Sequence, residues 1–341
     1  MQKTSHVDTN RFSISDNEAG TEWPCIYLIM LNWNGKQHLE YSIPSVLGTD
    51  YPNYQLVVVD NSSKDGSATF VEKNYPQVKL IVNRRNLGWA GGNNVGIEYA
   101  LERGAEWLVL INNDILIDPR WLRDAVKAAQ SDAEIGLVGF DVFGEYVKSP
   151  REEFYAAQKE YEHLAFRDTD VIVGCALMVR KDVFRQIGLI DEVYFIYGEE
   201  DDFEFRARSA GYRMIRTNVP LWHYSEGWAG TMPLRSAYLS MRNWLRLYIK
   251  TKNYGIWDVL LWTKFVFYLS CWPFRKINRN NATERRARPS NIFVNFWILL
   301  VAVGWNLLHF RQTLRIRELD RQKIRQALHV KREAAVSRTG R

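Results

Sequence analysis

Asn86-Leu87-Gly88-Trp89-Ala90-Gly91-Gly92-Asn93-Asn94-Val95-Gly96 leads, a helix length later, into Trp107-Leu108-Val109-Leu110-Ile111, which closes on Asn112-Asn113-Asp114. The first run is rich in glycine and asparagine and is expected to turn the chain. Glycine has no Cβ, so backbone amides in such a turn can approach an anion closely. The bland alternative is a glycine-rich connector. The second run is an apolar strand that delivers one carboxylate, flanked by two carboxamides, to a sheet edge. Together they suggest a site for a nucleotide diphosphate.

The same rhythm extends outward on both sides. Apolar runs Ile26–Leu31, Leu56–Val59, Val78–Val82 and Leu108–Ile111 read as buried strands bounded by polar turns. Helix-length stretches separate or follow them: His38–Leu47, Gly66–Asn74, Asn93–Arg103 and Pro119–Ala129. Such alternation predicts an α/β domain with a mostly parallel sheet and helices on both faces. Ligands of such sheets bind at the carboxyl ends of the strands, where Asn32-Trp33-Asn34, Asp60-Asn61-Ser62-Ser63, Arg84 to Asn94 and Asn112 to Asp114 all fall.

A second segment, 131–232, mixes short strands (Leu137–Phe140, Val171–Val179) with helices. Its polar stretch Glu145 to Asp170 shows no pattern and is expected to be a loop that can cover a site. The domain limits read from this are a disordered leader at 1–22, a body at 23–233 whose halves meet near residue 130, and a basic, Trp-rich helical region at 234–341.

Charge divides the chain in the same place. Residues 235–341 hold 22 Lys/Arg against 5 Asp/Glu, and the remainder holds 23 against 34, although the whole chain is only +6. An acidic body with a basic tail fits cation chemistry in one part and phosphate groups met by the other. Ile292–Phe310 is 19 residues without a formal charge, long enough for a bilayer core of about 30 Å. Both of its flanks are strongly basic, however, where a spanning helix should show asymmetry. A helix or hairpin lying in the anionic cytoplasmic leaflet is the preferred reading. A spanning helix and a helix buried in a protein interface are the alternatives. Ile256–Trp272 carries Asp258 and Lys264 and reads as amphipathic. The tail's Trp and Leu runs suit lipid better than nucleic acid. Three widely spaced cysteines (Cys25, Cys175, Cys271) form neither a zinc pattern nor a disulfide framework and suit a reducing cytosol. Met1 to Thr21 shows no secretory signal.

Several side chains carry candidate chemistry, each beside a plainer reading. Asp60 can accept a ring N–H of a uracil or thymine, or simply cap the following turn. Asn32 and Asn34 offer amides to a base or ribose, and Trp33 can stack there or pack. Asp114 is a ligand for Mg²⁺ or Mn²⁺, which bind few protein groups and otherwise use water and substrate phosphates. Asn112 and Asn113 add no charge, so His223 is a second candidate ligand, although a lone histidine is more often structural. Glu199-Glu200-Asp201-Asp202 puts four acids in four positions. The helix dipole favours some of them, but their crowding raises a carboxyl pKa and suits a general base. Arg206, one turn on, can hold Asp202.

In order along Ile26 to Lys250, these motifs resemble family 2 glycosyltransferases of the GT-A fold, especially the rhamnosyltransferase-like branch that builds bacterial surface polysaccharides. Asn32-Trp33-Asn34-Gly35, Val59-Asp60-Asn61-Ser62, Asn86 to Asn93 and Leu110 to Asp114 are similar to the donor-side motifs. Gly174-Cys175-Ala176-Leu177-Met178 resembles an acceptor-side strand, and Tyr197 to Asp202 resembles a Glu-Asp-x-Asp signature. The resemblance implies an inverting, metal-dependent transferase that moves a sugar from a nucleoside diphosphate such as a dTDP-rhamnose-like or UDP-sugar. Its acceptor would be a polyprenyl-diphosphate-linked or other envelope glycan at the cytoplasmic face of the inner membrane.

Carried over by position, Asn32, Asn34, Asp60, Asn61, Asn86, Gly88, Gly91, Asn93, Asn113 and Asp114 would bind the donor. Asp114 and His223 would hold the metal, and Glu200, with Glu199 and Asp202 beside it, would form the catalytic set. Trp222, Arg206 and Arg242 fall on the acceptor or phosphate side. Two departures stand out: Glu in place of Asp at 200, which keeps Glu199 as an alternative base, and Asn in place of an acid at 112. A sugar nucleotidyltransferase and a non-catalytic nucleotide-sugar-binding scaffold are the rival readings.

Overall fold

The computed structural model describes residues 12–13, 23–143, 151–224, 234–251 and 292–339. The strands are β1 (Phe12–Ser13), β2 (Ile26–Asn32), β3 (Tyr54–Asp60), β4 (Lys79–Val82), β5 (Trp107–Asn112), β6 (Ile115–Ile117), β7 (Ile135–Phe143), β8 (Ala165–Asp168), β9 (Ala176–Arg180) and β10 (Arg213–His223). The helices are α1 (Lys36–Leu47), α2 (Ser67–Asn74), α3 (Gly88–Glu102), α4 (Trp121–Gln130), α5 (Arg151–Glu160), α6 (Lys181–Ile187), α7 (Glu199–Ser209), α8 (Leu234–Thr251), α9 (Ile292–Leu308) and α10 (Phe310–Thr339).

One sheet runs in the order β1-β8-β10-β7-β9-β5-β2-β3-β4, with β6 added along the end of β10. The half formed by β5, β2, β3 and β4 is parallel throughout, as the strand–helix rhythm predicts. The other half is mixed: β9 runs antiparallel to both β5 and β7, and β8 and β6 run antiparallel to β10. The expectation of a mostly parallel sheet therefore holds for one half only. The reason is local: β9 follows the 161–175 stretch rather than a crossover helix, so it can enter the sheet reversed.

Side chains alternate across the strands and sort the helices into two layers. Ile26, Leu28 and Met30 pack with Leu39 and Ile43 of α1 and Trp121 and Leu122 of α4. Tyr27 and Ile29 pack on the other face with Ile97 of α3, Val183 of α6 and Phe203 of α7.

Three local expectations change. The run from Gly88 to Gly92, expected to turn the chain, is the first part of α3, which starts before the expected Asn93. A Cβ at Gly92 would strike Leu31, and one at Gly96 would strike Ile29, so these glycines let α3 lie close on β2. The patternless stretch Glu145 to Asp170 contains α5 and β8, while 144–150 lie outside the described residues. Of the expected leader, Phe12 and Ser13 are described, and they pair with Phe166 and Ala165.

The C-terminal helices belong to the body. Ala327 of α10 is 2% exposed and sits in the same apolar cluster as α3, α6 and α7. Lys331 donates to the Gly211 carbonyl at 2.6 Å and lies over the Tyr212 ring. In α9, Ile298, Leu299, Ala302 and Asn306 are buried, whereas Trp297, Leu300, Val301, Leu307 and Leu308 are exposed. Among the described residues no helix is long and apolar enough to cross a membrane. The amphipathic reading of 256–272 and the basic flank 275–288 lie outside the described residues.

Candidate active site

Register places the polar strand ends together. Asn32 pairs with Asp60 across β2 and β3, and Leu31 pairs with Asn112 across β2 and β5. Asn32, fully buried, is the hub: its Nδ2 donates to Asp60 Oδ2 at 2.9 Å and to Ser63 Oγ at 3.2 Å, and its Oδ1 accepts from Asn113 Nδ2 at 2.6 Å. Asp60 Oδ1 accepts from Ser63 N at 2.9 Å, so this acid also closes the 60–63 turn, the plainer of its two expected roles. Asn34, with a positive φ of 51°, accepts from Lys64 N and ties the two strand ends at the surface. Trp33 is 56% exposed beside them and is therefore not a core residue.

The Asn86–Gly96 run contributes differently from expectation. Asn61 Nδ2 donates to Asn86 Oδ1 and the Gly88 carbonyl, and Asn61 Oδ1 accepts from Asn83 Nδ2 and Leu87 N. The first amides of α3 are met from within the protein: Gly88 N donates to Asn86 Oδ1, and Trp89 N and Ala90 N donate to the Phe195 carbonyl. Gly88 has a φ of +75° and leaves no room for a Cβ against Phe195. Asn93 Nδ2 donates to the Trp89 carbonyl. The phosphate-cradle expectation is thus corrected for Asn86 and Gly88, which hold the start of α3 against the 195 loop, and for Gly91, which has no room for a Cβ against Leu87. Asn61, expected on the donor side, ties β3 to α3, while Asn93 bonds within α3 and keeps its Oδ1 buried without a partner. Sequence could not show this, since the capping carbonyl lies about a hundred positions away.

Asp114 and His223 do converge. His223 Nε2 lies 3.1 Å from Asp114 Oδ1 and 3.2 Å from Asn112 Nδ2, and Tyr224 N donates to the Asp114 carbonyl. A carboxylate and an imidazole so placed are the side chains here that could ligate Mg²⁺ or Mn²⁺, which take few protein groups. Among the described residues no cluster of three or more His, Cys, Asp or Glu exists, so the remaining ligands would be water and substrate phosphate. His38, Tyr41, Trp222 and Tyr224 form an aromatic wall nearby, with the Arg151 guanidinium over Tyr41 and Trp222. Burial, followed by the charge of Asp114, holds the Tyr41 phenol well above its usual range.

The four acids open α7, as the charge–dipole argument predicts. They have separate environments. Glu199 is 2% exposed, its Oε2 has no hydrogen-bond partner, and burial followed by the charge of Glu200 raises its carboxyl well above the usual range. Glu200 is part-exposed and lies against Gly174, where any Cβ would overlap its carboxylate. The neighbouring Cys175 carbonyl accepts from Asn112 N at 2.9 Å, which brings Glu200 to the strand-end cluster. Asp202 is 1% exposed and enclosed by Arg206 at 2.9 Å, Lys250 at 2.7 Å and the Tyr194 hydroxyl at 3.3 Å. Its expected catalytic part is therefore corrected to an anchoring one.

The expected acceptor-side residues are likewise turned inward. Arg206 donates to the Ile187 and Leu189 carbonyls, Arg242 donates to the Val193 and Tyr194 carbonyls, and Trp222 is 4% exposed. A cavity of about 470 Å³ opens behind α7, lined by Asp202, Arg206, Lys250, Arg317, Asp320 and Arg321; no strand-end residue lines it.

Comparison with known proteins bears on the family and the fold. Residues 27–188 match the family described as Glycosyl transferase family 2. The low-salt glycan biosynthesis hexosyltransferase Agl10 of Haloferax volcanii is 26% identical over 203 residues, 53% of this chain and 61% of that protein. An N-acetylglucosaminyl-diphospho-decaprenol L-rhamnosyltransferase of Mycobacterium tuberculosis is 26% identical over 221 residues, 55% of this chain and 72% of that protein. The fold resembles a Pyrobaculum calidifontis mannosyltransferase in complex with GDP-Man and Mn²⁺, with a TM-score of 0.52 at 17% identity over 91% of this chain and 87% of that one. It also resembles S. aureus TarS 1–349 in complex with UDP-GlcNAc, with a TM-score of 0.51 at 15% identity over 91% and 92% of the two chains.

Proposed function

Since residues 27–188 form a glycosyl transferase family 2 domain on a GT-A fold, we propose that the protein is an inverting transferase. It moves a sugar from a nucleoside-diphosphate donor to a hydroxyl of a lipid-linked or growing envelope glycan. The observation that carries this reading is the convergence of the Asp114–His223 pair with Glu200, through Asn112 and the Gly174–Cys175 segment.

In this reading the exposed Trp33 ring stacks on the base, and Asn32 and Asp60 frame the pocket beneath it. Asp114 and His223 would hold Mg²⁺ or Mn²⁺, which would neutralise charge on the donor diphosphate. Glu200 takes the proton from the acceptor hydroxyl, and the oxygen attacks the anomeric carbon. The bond from that carbon to the diphosphate breaks, and the nucleoside diphosphate leaves with the electron pair. Glu199, kept protonated by burial and by the charge of Glu200, does not compete as base. A base in hydrogen-bond reach contributes about 10²–10⁴-fold.

A rhamnosyl or other hexosyl donor and a polyprenyl-diphosphate acceptor are supported by the names of the Mycobacterium and Haloferax relatives. The outward face of α9, with Trp297, Leu300, Val301, Leu307 and Leu308 followed by Arg311 and Arg315, suits the cytoplasmic surface of an anionic membrane. A screen of dTDP-rhamnose, UDP-sugars and GDP-mannose with Mn²⁺ or Mg²⁺ and a polyprenyl-diphosphate acceptor should release nucleoside diphosphate from one donor. Asp114→Ala should abolish that release. Pyrophosphate as product, or donor binding unchanged by Asp114→Ala with no turnover by the parent chain, defeats the proposal.

A further inference from the structure

The segment that leads into α7 is strained. Phe195 has φ 67°, Tyr197 φ 74° and Gly198 φ 85°, directly before Glu199 and Glu200. Left-handed non-glycine residues are costly and persist only where their surroundings over-determine them. Here the surroundings are one face of α8. The fully buried Asn243 places Nδ2 2.8 Å from the Tyr194 carbonyl, 2.8 Å from that of Ile196 and 2.7 Å from that of Tyr197. Its Oδ1 accepts from Arg242 Nε at 2.8 Å, which fixes the amide with its donors toward the loop.

The spacing of α8 repeats the grip at each turn. Arg242 holds the Val193 and Tyr194 carbonyls, Arg246 holds Asp191 at 2.9 Å, and Lys250 holds Asp191 at 3.0 Å and Asp202 at 2.7 Å. Both ends of the 191–202 segment are thereby fastened. Behind α8, each turn is braced by the last two helices: Asn306 donates to the Arg242 carbonyl, Thr313 accepts from Arg246, and Asp320 faces Lys250 at 3.1 Å.

We propose that Asn243 is a positioning residue for the reaction, which holds the strained 195–198 turn and through it the placement of Glu200. The inference rests on the assignment of Glu200 as base. It gives the C-terminal helices a share in catalysis beyond any role at a membrane. Asn243 bonds two carbonyls of that turn, Ile196 and Tyr197, and that of Tyr194 just before it.

The test compares Asn243→Ala and Asn243→Asp with the full-length parent. Tyr161→Phe serves as control, since it removes a buried 2.6 Å hydrogen bond to Asp124 in the opposite helical layer. A displacement of about 1 Å costs about 10²-fold in rate. Both Asn243 variants should therefore lose about 100-fold in kcat, with donor KM within about twofold, and the pH profile of kcat should shift. Tyr161→Phe should keep kcat. Amide exchange at 195–202 should speed up in the Asn243 variants and stay unchanged in the control.

Unchanged kcat and exchange in a folded Asn243 variant overturn the proposal, as does an equal kcat loss in Tyr161→Phe. If Asn243→Ala does not fold, Asp320→Asn carries the test, with faster exchange at 195–202 and lower kcat expected, and no change in either sinking the idea. Absence of turnover in the parent chain defeats the transferase reading instead, and full kcat in Glu200→Gln defeats the base assignment. The exchange measurement decides in either case whether Asn243 holds the 195–198 turn.

Discussion

Glu204 lies one turn beyond Glu200 on α7, buried, with Oε1 accepting from Ile172 N at 3.1 Å. Burial, and then the charges of Glu200 and Asp201, push its carboxyl up to about 9 from an ordinary 4.5. The native state therefore keeps a proton that the unfolded chain gives up above about pH 4.5. The stability this group contributes is fully present below that pH and is lost as pH rises toward about 9. Each pH unit inside the window is worth about 1.4 kcal/mol, so between pH 5.5 and 8.0 the parent should lose about 3 kcal/mol through this residue. Glu204→Gln keeps an oxygen to accept from Ile172 and carries no charge at any pH. Urea unfolding of parent and variant at pH 5.5 and 8.0, followed by tryptophan fluorescence, should show the variant gaining on the parent by about 3 kcal/mol across the interval. A difference constant to within about 0.5 kcal/mol would refute the assignment of a buried, protonated carboxyl.

Other perturbations address the remaining parts. Gly96→Ala forces a Cβ into Ile29, a stiff β-branched side chain with no exposure; overpacking of about 1–3 kcal/mol should outweigh a helix-propensity gain of about 1. Its Tm should fall, and a raised Tm contradicts the close α3–β2 contact. Trp33→Ala should leave Tm unchanged, since the ring is exposed, while raising the donor Kd by about tenfold, in line with about 1–3 kcal/mol for base stacking; unchanged affinity removes Trp33 from the base site. Glu200→Gln should lower kcat by about 10²–10⁴ and keep donor Kd, measured by calorimetry; a matched loss of binding places Glu200 on the donor instead.

Much of the parallel half of the sheet was legible because its signals are local. Short apolar runs ending in Asn32, Asp60 and Asn112 need only strand period and sheet direction to be brought to one edge. Asp114 and His223, 109 positions apart, met as expected because β10 ends beside β6. The glycines misled because glycine serves two purposes: it permits turns, and it permits close helix–sheet approach. Composition alone does not separate them; the partner atoms on Leu31 and Ile29 do. The reversed β9 was hidden because its direction depends on what precedes it, not on its own residues. Asp202, Arg206 and Arg242 read as site residues because charge in a cleft and charge in a buried network look alike along the chain. Lys250, which meets three carboxylates, carried no signal, because those partners come from positions 191, 202 and 320.

That last spread has a temporal side. Glu200 and the strand ends are all made by residue 223, but the brace at Asp320 appears almost a hundred residues later in synthesis. Contacts so distant in sequence close late in folding. A nascent chain that has formed β2 to β5 can already pair Asn32 with Asp60 while the 195–198 turn is still without its backing. On the proposed reading, the strand-end pairing would form before the turn that places Glu200 is braced, so chains cut short before Asp320 would transfer sugar poorly.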